Sequence, residues 1–213
     1  SGSSAAAPSS SSSGCRVPSF PEIPPINTDE DDPAIYNKLI ALLKSKGKPF
    51  KHLGPHDITP TSEDSAAMRV KLGWTDVTLA SGAKAMLICN SKNKEQPFTL
   101  AVMAADHKLD WKKMKKLLPK GKNARMASVD EAWEVTKCKP GGVPPFGSLF
   151  EATGGVKTLV DPSLQAQGTN CNFNCGLRTR SIQMSVADFL ETEAENAEGV
   201  SFCSQRTAGA GGR

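Results

Sequence analysis

The run Gly141-Gly-Val-Pro-Pro-Phe-Gly147 has the composition of a loop that could serve hydrolytic chemistry. Its glycines admit backbone conformations barred to other residues and let a ligand approach the main-chain amides closely. Its prolines stiffen the segment, so exposed N–H groups are fixed before a substrate arrives. Fixed donors of this kind stabilise the oxyanion that forms when a carbonyl is attacked. On turn chemistry alone the run reads as a plain rigid turn. Lys84 follows Ser81-Gly-Ala and opens the apolar run Ala85-Met-Leu-Ile-Cys89. A lysine at the mouth of a buried strand can lay its stem on apolar surface and hold its ammonium over a cleft. There it would bind phosphate or ribose as a point charge. A lysine snorkelling at a strand end has the same pattern.

Other chemistries are poorly supplied. His52, His56 and His107 are the imidazoles present, and none sits in a nucleophile motif. No Gly-x-Ser-x-Gly elbow occurs, which argues against a plain esterase. The cysteines Cys15, Cys89, Cys138, Cys171, Cys175 and Cys203 lack the pair-of-pairs spacing of a zinc site. Neither metal nor cofactor is expected. The chain is large enough to need no disulfide staples and shows no basic-then-apolar leader, so reduced thiols and a cytoplasmic location are expected. No window approaches the ~18 apolar residues of a membrane span.

The elements that must position these residues follow from caps and periodicity. Asp32-Pro33 starts a helix carrying Ile35, Leu39, Leu42 and Leu43 on one face, stopped by Gly47. Thr61, Asp110, Ser128 and Ser185 are further helix starts, Ser128-Val-Asp-Glu131 with the pattern of a capping box. Strands are expected at Val77–Leu79, Lys84–Cys89 and Phe98–Ala104, with weaker ones at Ala124–Ala127, Thr158–Val160, Asn170–Asn174 and Ser181–Met184. Asn90 to Pro97 joins two of them as a hairpin. The irregular alternation implies a mixed α/β fold, a mixed sheet with helices packed around it in a single domain.

The 213 residues divide unevenly. Residues 1–29 are rich in Ser, Ala and Pro and too poor in apolar side chains to offset the entropy of ordering them. They are expected to be a disordered tail, as is 206–213, leaving 30–205 as the domain. Net charge is +4, but from Lys108 to Arg125 eight basic residues face a single acid, Asp110. Lys112, Lys113 and Lys116 on that helix could contact the phosphates of a nucleic acid, or could be a solvated helix face.

Taken together, His56-Asp-Ile-Thr-Pro-Thr-Ser-Glu-Asp-Ser-Ala-Ala67, Lys84-Ala-Met-Leu-Ile, Gly141-Gly-Val-Pro-Pro-Phe-Gly147 and Asn174-Cys-Gly-Leu-Arg-Thr-Arg-Ser-Ile-Gln-Met184 resemble the YbaK/prolyl-tRNA-synthetase-associated editing domain family. The similarity spans about residues 35–190. It implies a mixed, partly barrel-like sheet ringed by helices. The activity it implies is hydrolysis of the ester joining a noncognate amino acid, of the alanine or cysteine class, to tRNA, with proline tRNA the expected carrier. Lys84 matches the family's essential lysine, and Gly141 and Pro145 match the ends of its Gly-x-x-x-Pro loop. Asn174 and Ser181 match polar pocket positions, and His56 the histidine ahead of the Thr-x-Glu helix. One deacylase branch carries an acid where Ser181 stands, so this chain departs from that branch. The implied mechanism has water, or a group of the substrate, attacking the ester. The Gly141–Gly142 amides would stabilise the oxyanion and Lys84 would anchor the terminal nucleotide or its amino acid. The implied partners are a mischarged tRNA and, for an associated protein, prolyl-tRNA synthetase or a multi-synthetase complex. Two other readings stay open: a non-catalytic tRNA-binding adaptor, and an editing module appended to a synthetase.

Overall fold

Local capping chemistry sets most of the helix starts. The structure, a computed structural model, describes residues 19–27, 29–166 and 168–206. Helix α1 (Ala34–Ser45) begins one residue later than Asp32 would set it. Pro33 is the cap position, and Asp32 Oδ1 accepts the Ala34 N–H at 3.0 Å. In α2 (Ser62–Lys71) the Thr61 hydroxyl accepts the Asp64 N–H, and in α3 (Trp111–Leu117) Asp110 accepts from Lys112 and Lys113. The Ser128–Glu131 capping box opens α4 (Val129–Thr136), and Ser185 caps α6 (Val186–Glu193). A short α5 (Ser163–Ala166) lies between them in sequence.

The central sheet has five strands in the order β5-β2-β3-β6-β9. They are β2 (Ala83–Cys89), β3 (Phe98–Ala104), β5 (Arg125–Met126), β6 (Lys157–Val160) and β9 (Ala197–Gly199). Strand β2 runs antiparallel to β3 and β5, whereas β6 is parallel to β3 and β9, so the sheet is mixed. Successive side chains of a strand point to opposite faces, and both faces here are covered. Leu87, Leu100, Val102 and Val160 pack with Ile35, Leu39, Leu43 and Phe189. Ile88, Ala101, Met103 and Leu159 pack with Met114, Leu118 and Phe202. Burial on both sides explains why Phe98–Ala104 reads as a nearly continuous apolar run. A second sheet, ordered β1-β8-β7, comprises β1 (Lys51–Leu53), β7 (Asn170–Asn174) and β8 (Ser181–Ser185). It meets the first where Gly82 bridges Asn172. A third pairs β4 (His107–Leu109) with β10 (Cys203–Gln205). The domain is mixed α/β, and the curvature stops short of a closed barrel, since β5 and β9 remain edges.

Two expectations change. Val77–Leu79 is not a strand: Val77 is buried, but the neighbouring backbone is held in a turn, with the Thr78 N–H given to Ser81 Oγ at 2.9 Å. Residues 19–27, expected in the tail, lie against the body, with Phe20, Ile23 and Ile26 packed on the main core. Buried Arg180 holds this segment, donating to the carbonyls of Pro24 and Pro25 at 2.6 Å each and to Glu30 Oε1 at 2.6 Å. Residues 1–18 and 207–213 lie outside the described residues, as does Cys15. The described cysteines are all free and buried.

Candidate active site

A cleft of about 270 Å³ opens where the two larger sheets meet. Its walls are the Thr59–Ser62 segment, the α2 side chains Ser65, Ala66 and Arg69, the start of β2 from Gly82 to Ala85, and Asn172–Asn174 of β7, with Gly141 and Val143 contributed by the loop after α4. Lys84 and Gly141 therefore share one cavity. The lining contains the cations Lys84 and Arg69 and no aspartate or glutamate. Lys84 forms no ion pair among the described residues. Burial lowers its pKa, nearby Arg206 pushes the same way, and Glu63 opposes both.

The Gly141–Gly147 loop is held from below. Phe146 is fully buried and packs edge-on against Phe173 and Phe189, ring centres 5.6 and 5.2 Å away. Gly147 sits so tightly that a Cβ would lie 2.4 Å from the Val156 carbonyl oxygen. Gly141 adopts φ +87°, the left-handed region that favours glycine, with nothing within 4 Å of where a Cβ would be. Its carbonyl accepts the Asn174 Nδ2 amide at 2.8 Å.

Which amides remain open differs from the sequence expectation. The Gly142 N–H is taken by the Lys139 carbonyl at 2.9 Å, and Gly142 is buried away from the cleft lining. The Gly142 carbonyl in turn accepts the Gly176 N–H at 2.9 Å. In a trans peptide the N–H points opposite the C=O, so the Val143 N–H is turned away from Gly176. Neither Gly141 N–H nor Val143 N–H has a partner among the described residues. The open donors are thus Gly141 and Val143 rather than Gly141 and Gly142.

The other sequence candidates divide. Asn174 lines the cleft, whereas Ser181, His56 and Pro145 do not. Pro145 is buried as part of the loop's footing. Ser181 is fully buried behind Asn174, and its Oγ accepts the Arg69 Nε–H at 3.1 Å. His56 Nδ1 faces the Asp57 carbonyl at 2.8 Å and so carries a proton, while Nε2 lies 3.1 Å from Ser181 Oγ. Burial lowers the His56 pKa. The neutral ring then presents a bare Nε2 to the Ser181 hydroxyl. Lys112, Lys113 and Lys116 stand exposed on α3, outside the cleft, with Lys113 Nζ reaching the Cys203 carbonyl at 3.2 Å. Sequence reasoning misses Arg69: an arginine between Met68 and Val70 in a charged helix reads as a surface residue, and only its distant partners reveal its burial.

No hydroxyl in the cleft is paired with an imidazole. Ser65 Oγ lies 2.6 Å from Thr59 Oγ1 and 3.0 Å from the Thr61 carbonyl, while His52 pairs with Tyr36 and His107 with Asp106. The described cysteines lie outside the lining, and burial pushes Cys171 and Cys175 up to about 12. The cleft can therefore bind an anion or a polarised carbonyl, but it offers no side-chain nucleophile with an adjacent base. Among the described residues no cluster of three or more His, Cys, Asp or Glu could hold a metal, and no helix is long and apolar enough to cross a membrane.

Residues 56–192 match the aminoacyl-tRNA editing domain family. The chain is 31% identical over 156 residues to the multifunctional Ser/Thr-tRNA deacylase ProXp-y of Escherichia coli, covering 73% of this chain and 86% of that protein. Among solved structures it resembles a hypothetical protein with TM-score 0.64 at 22% identity, over 78% of this chain and 99% of that one. It also resembles a candidate trans-editing enzyme for prolyl tRNA synthetase, with TM-score 0.62 at 18% identity, over 81% and 98%. At such identities the structural likenesses speak to fold alone, whereas the family match covers the cleft, its lysine and its glycine–proline loop. The chain belongs to the aminoacyl-tRNA editing domain family and is an aminoacyl-tRNA hydrolase.

Proposed function

We propose that this enzyme clears a small noncognate amino acid from mischarged tRNA, with Lys84 and the Gly141–Pro145 loop at the reacting ester. The observation that carries the reading is the shared cleft: Lys84, Gly141 and Val143, whose amides have no partner among the described residues, and no acid in the wall. Lys84 anchors the terminal nucleotide through its phosphate or ribose. Water adds to the ester carbonyl, and the negative charge on its oxygen falls to the two amides. The bond to the ribose oxygen then breaks and that oxygen takes up the proton released by water. Free amino acid and intact tRNA leave. With no nucleophile–base pair in the cleft, no acyl-enzyme forms.

Alanine and cysteine on proline tRNA are the first substrates to test. A second reading has a specific observation in its favour: Thr59, Thr61, Ser62, Ser65 and Thr78 surround the cleft with hydroxyls, and the E. coli relative is named for serine and threonine esters. Such a wall suits a hydroxylated side chain. The deciding experiment is deacylation of a panel of tRNAs charged with alanine, cysteine, serine or threonine, beside Lys84→Ala. A pocket that hydrogen-bonds the substrate hydroxyl would separate serine from alanine by about 10⁴ or more, whereas size alone gives about 10–200-fold. A wild-type protein inactive on the whole panel refutes the reading. Exposed Lys112, Lys113 and Lys116 supply a phosphate-binding face for the tRNA body. The reading places the enzyme in the cytoplasm, free-standing or beside a prolyl-tRNA synthetase.

A further inference from the structure

Arg69 is the charge in the cleft that the chemistry above does not use. Its side chain is 5% exposed, and no carboxylate pairs with it among the described residues. Burial pulls its pKa down to about 10, so it stays protonated at neutral pH. Its partners are neutral oxygens: Nε donates to Ser181 Oγ at 3.1 Å and Nη2 to Asn174 Oδ1 at 3.0 Å. A buried cation without a counter-charge is costly, and a lysine could not fork to two oxygens in this way.

The fork has a structural consequence. With Oδ1 taken by Arg69, the Asn174 amide must turn Nδ2 outward, and Nδ2 meets the Gly141 carbonyl at 2.8 Å. The N–H of that same peptide, on Gly142, goes to the Lys139 carbonyl at 2.9 Å. The peptide between 141 and 142 is thereby gripped at both ends. We propose that Arg69 is a positioning residue, which fixes the Asn174 amide, and through it the Gly141 peptide, so that the open Gly141 and Val143 amides face the ester carbonyl. The inference rests on the deacylase reading and assigns Asn174 to the loop rather than to the substrate.

Asn174→Asp is the informative variant. It keeps an acceptor for Arg69 and gives it a counter-charge, but sets oxygen against the Gly141 carbonyl. Cooperative unfolding at or above the wild-type temperature is expected, with kcat down by about 10² and KM nearly unchanged, the pattern of a lost transition-state interaction. Arg69→Lys, which keeps the charge and loses the fork, should shift kcat in the same direction. Independently of turnover, the Gly141 and Gly142 amide resonances should move in both variants. Should Arg69→Lys fail to fold, Asn174→Asp decides alone. Full kcat in a folded Asn174→Asp protein, or a raised KM with kcat intact, overturns the proposal, the latter because it marks direct contact with substrate. If wild type is active, Lys84→Ala inactive and Asn174→Asp fully active, only the Arg69 inference falls. If wild type is inactive on every tRNA tried, both fall.

Discussion

Lys84 at the start of β2 and Gly141 in the loop after α4 open onto one cavity, although they are distant in sequence and belong to different elements. The ammonium brings charge and the left-handed turn brings open backbone donors. Lys84→Ala tests the first contribution. Its side chain holds no ion pair among the described residues, so thermal unfolding should stay close to wild type. Deacylation should fall by about 10²–10³, the usual scale for a lost preorganised charge or donor. A folded variant with wild-type turnover would remove Lys84 from the reaction.

The loop glycines should differ in what alanine does to them. At Gly141 the added Cβ meets nothing, so the cost is backbone strain alone, about 1–2 kcal/mol, with activity falling as the loop relaxes. At Gly147 the Cβ would lie 2.4 Å from the Val156 oxygen and 2.5 Å from Thr158 Oγ1. Gly147→Ala should cost about 3 kcal/mol or more. Urea titration of the pair gives the order, and equal midpoints would contradict this packing.

Charge reversal on α3 addresses tRNA docking. Lys112→Glu with Lys116→Glu should weaken tRNA binding. The slope of log affinity against log salt should flatten by about one for each phosphate that the helix no longer neutralises. Filter binding across a salt series measures it. An unchanged slope would make these lysines a solvated face.

Acid sensitivity should centre on the segment before α1. Arg180 holds the Glu30 carboxyl at about 2 against an ordinary 4.5, and Arg178 holds Asp31 at about 2 against 3.8. A folded-state pKa below the unfolded one stabilises the protein fully above the unfolded value. That contribution is lost as pH falls through the folded one. Thermal midpoints should therefore drop between about pH 4.5 and 2, and Glu30→Gln should lower the neutral midpoint and flatten the drop. A wild-type profile identical to that of Glu30→Gln would rule out this ion pair as the cause.

How much of the fold and the site is legible in the sequence follows from how local each signal is. Thr61, Asp110, Ser128 and Ser185 announce helices because a cap satisfies amides two or three residues away, and all four do so here. The apolar runs of β2 and β3 are legible because both faces of that sheet are buried. Strands β1, β4, β9 and β10, three residues each, are not. A strand that short is specified by its partner rather than by its own residues. At the site, Lys84, Gly141 and Asn174 are legible and share the cleft. Gly142 fails as a donor because a turn, invisible in the residue types, hands its N–H to Lys139. Arg69 stays hidden because the oxygens that receive it come from β7 and the start of β8, more than a hundred residues on.

Arg180, just before β8, and Ser181, its first residue, are adjacent and reach different partners. One grasps the carbonyls of Pro24 and Pro25; the other abuts Arg69. The N-terminal segment is thus tied to the residue next to the one that receives Arg69 of the cleft. Clipping the chain near residue 30 would do more than shorten it. It would strip two carbonyl partners from buried Arg180, next in the chain to the serine on which Arg69 rests.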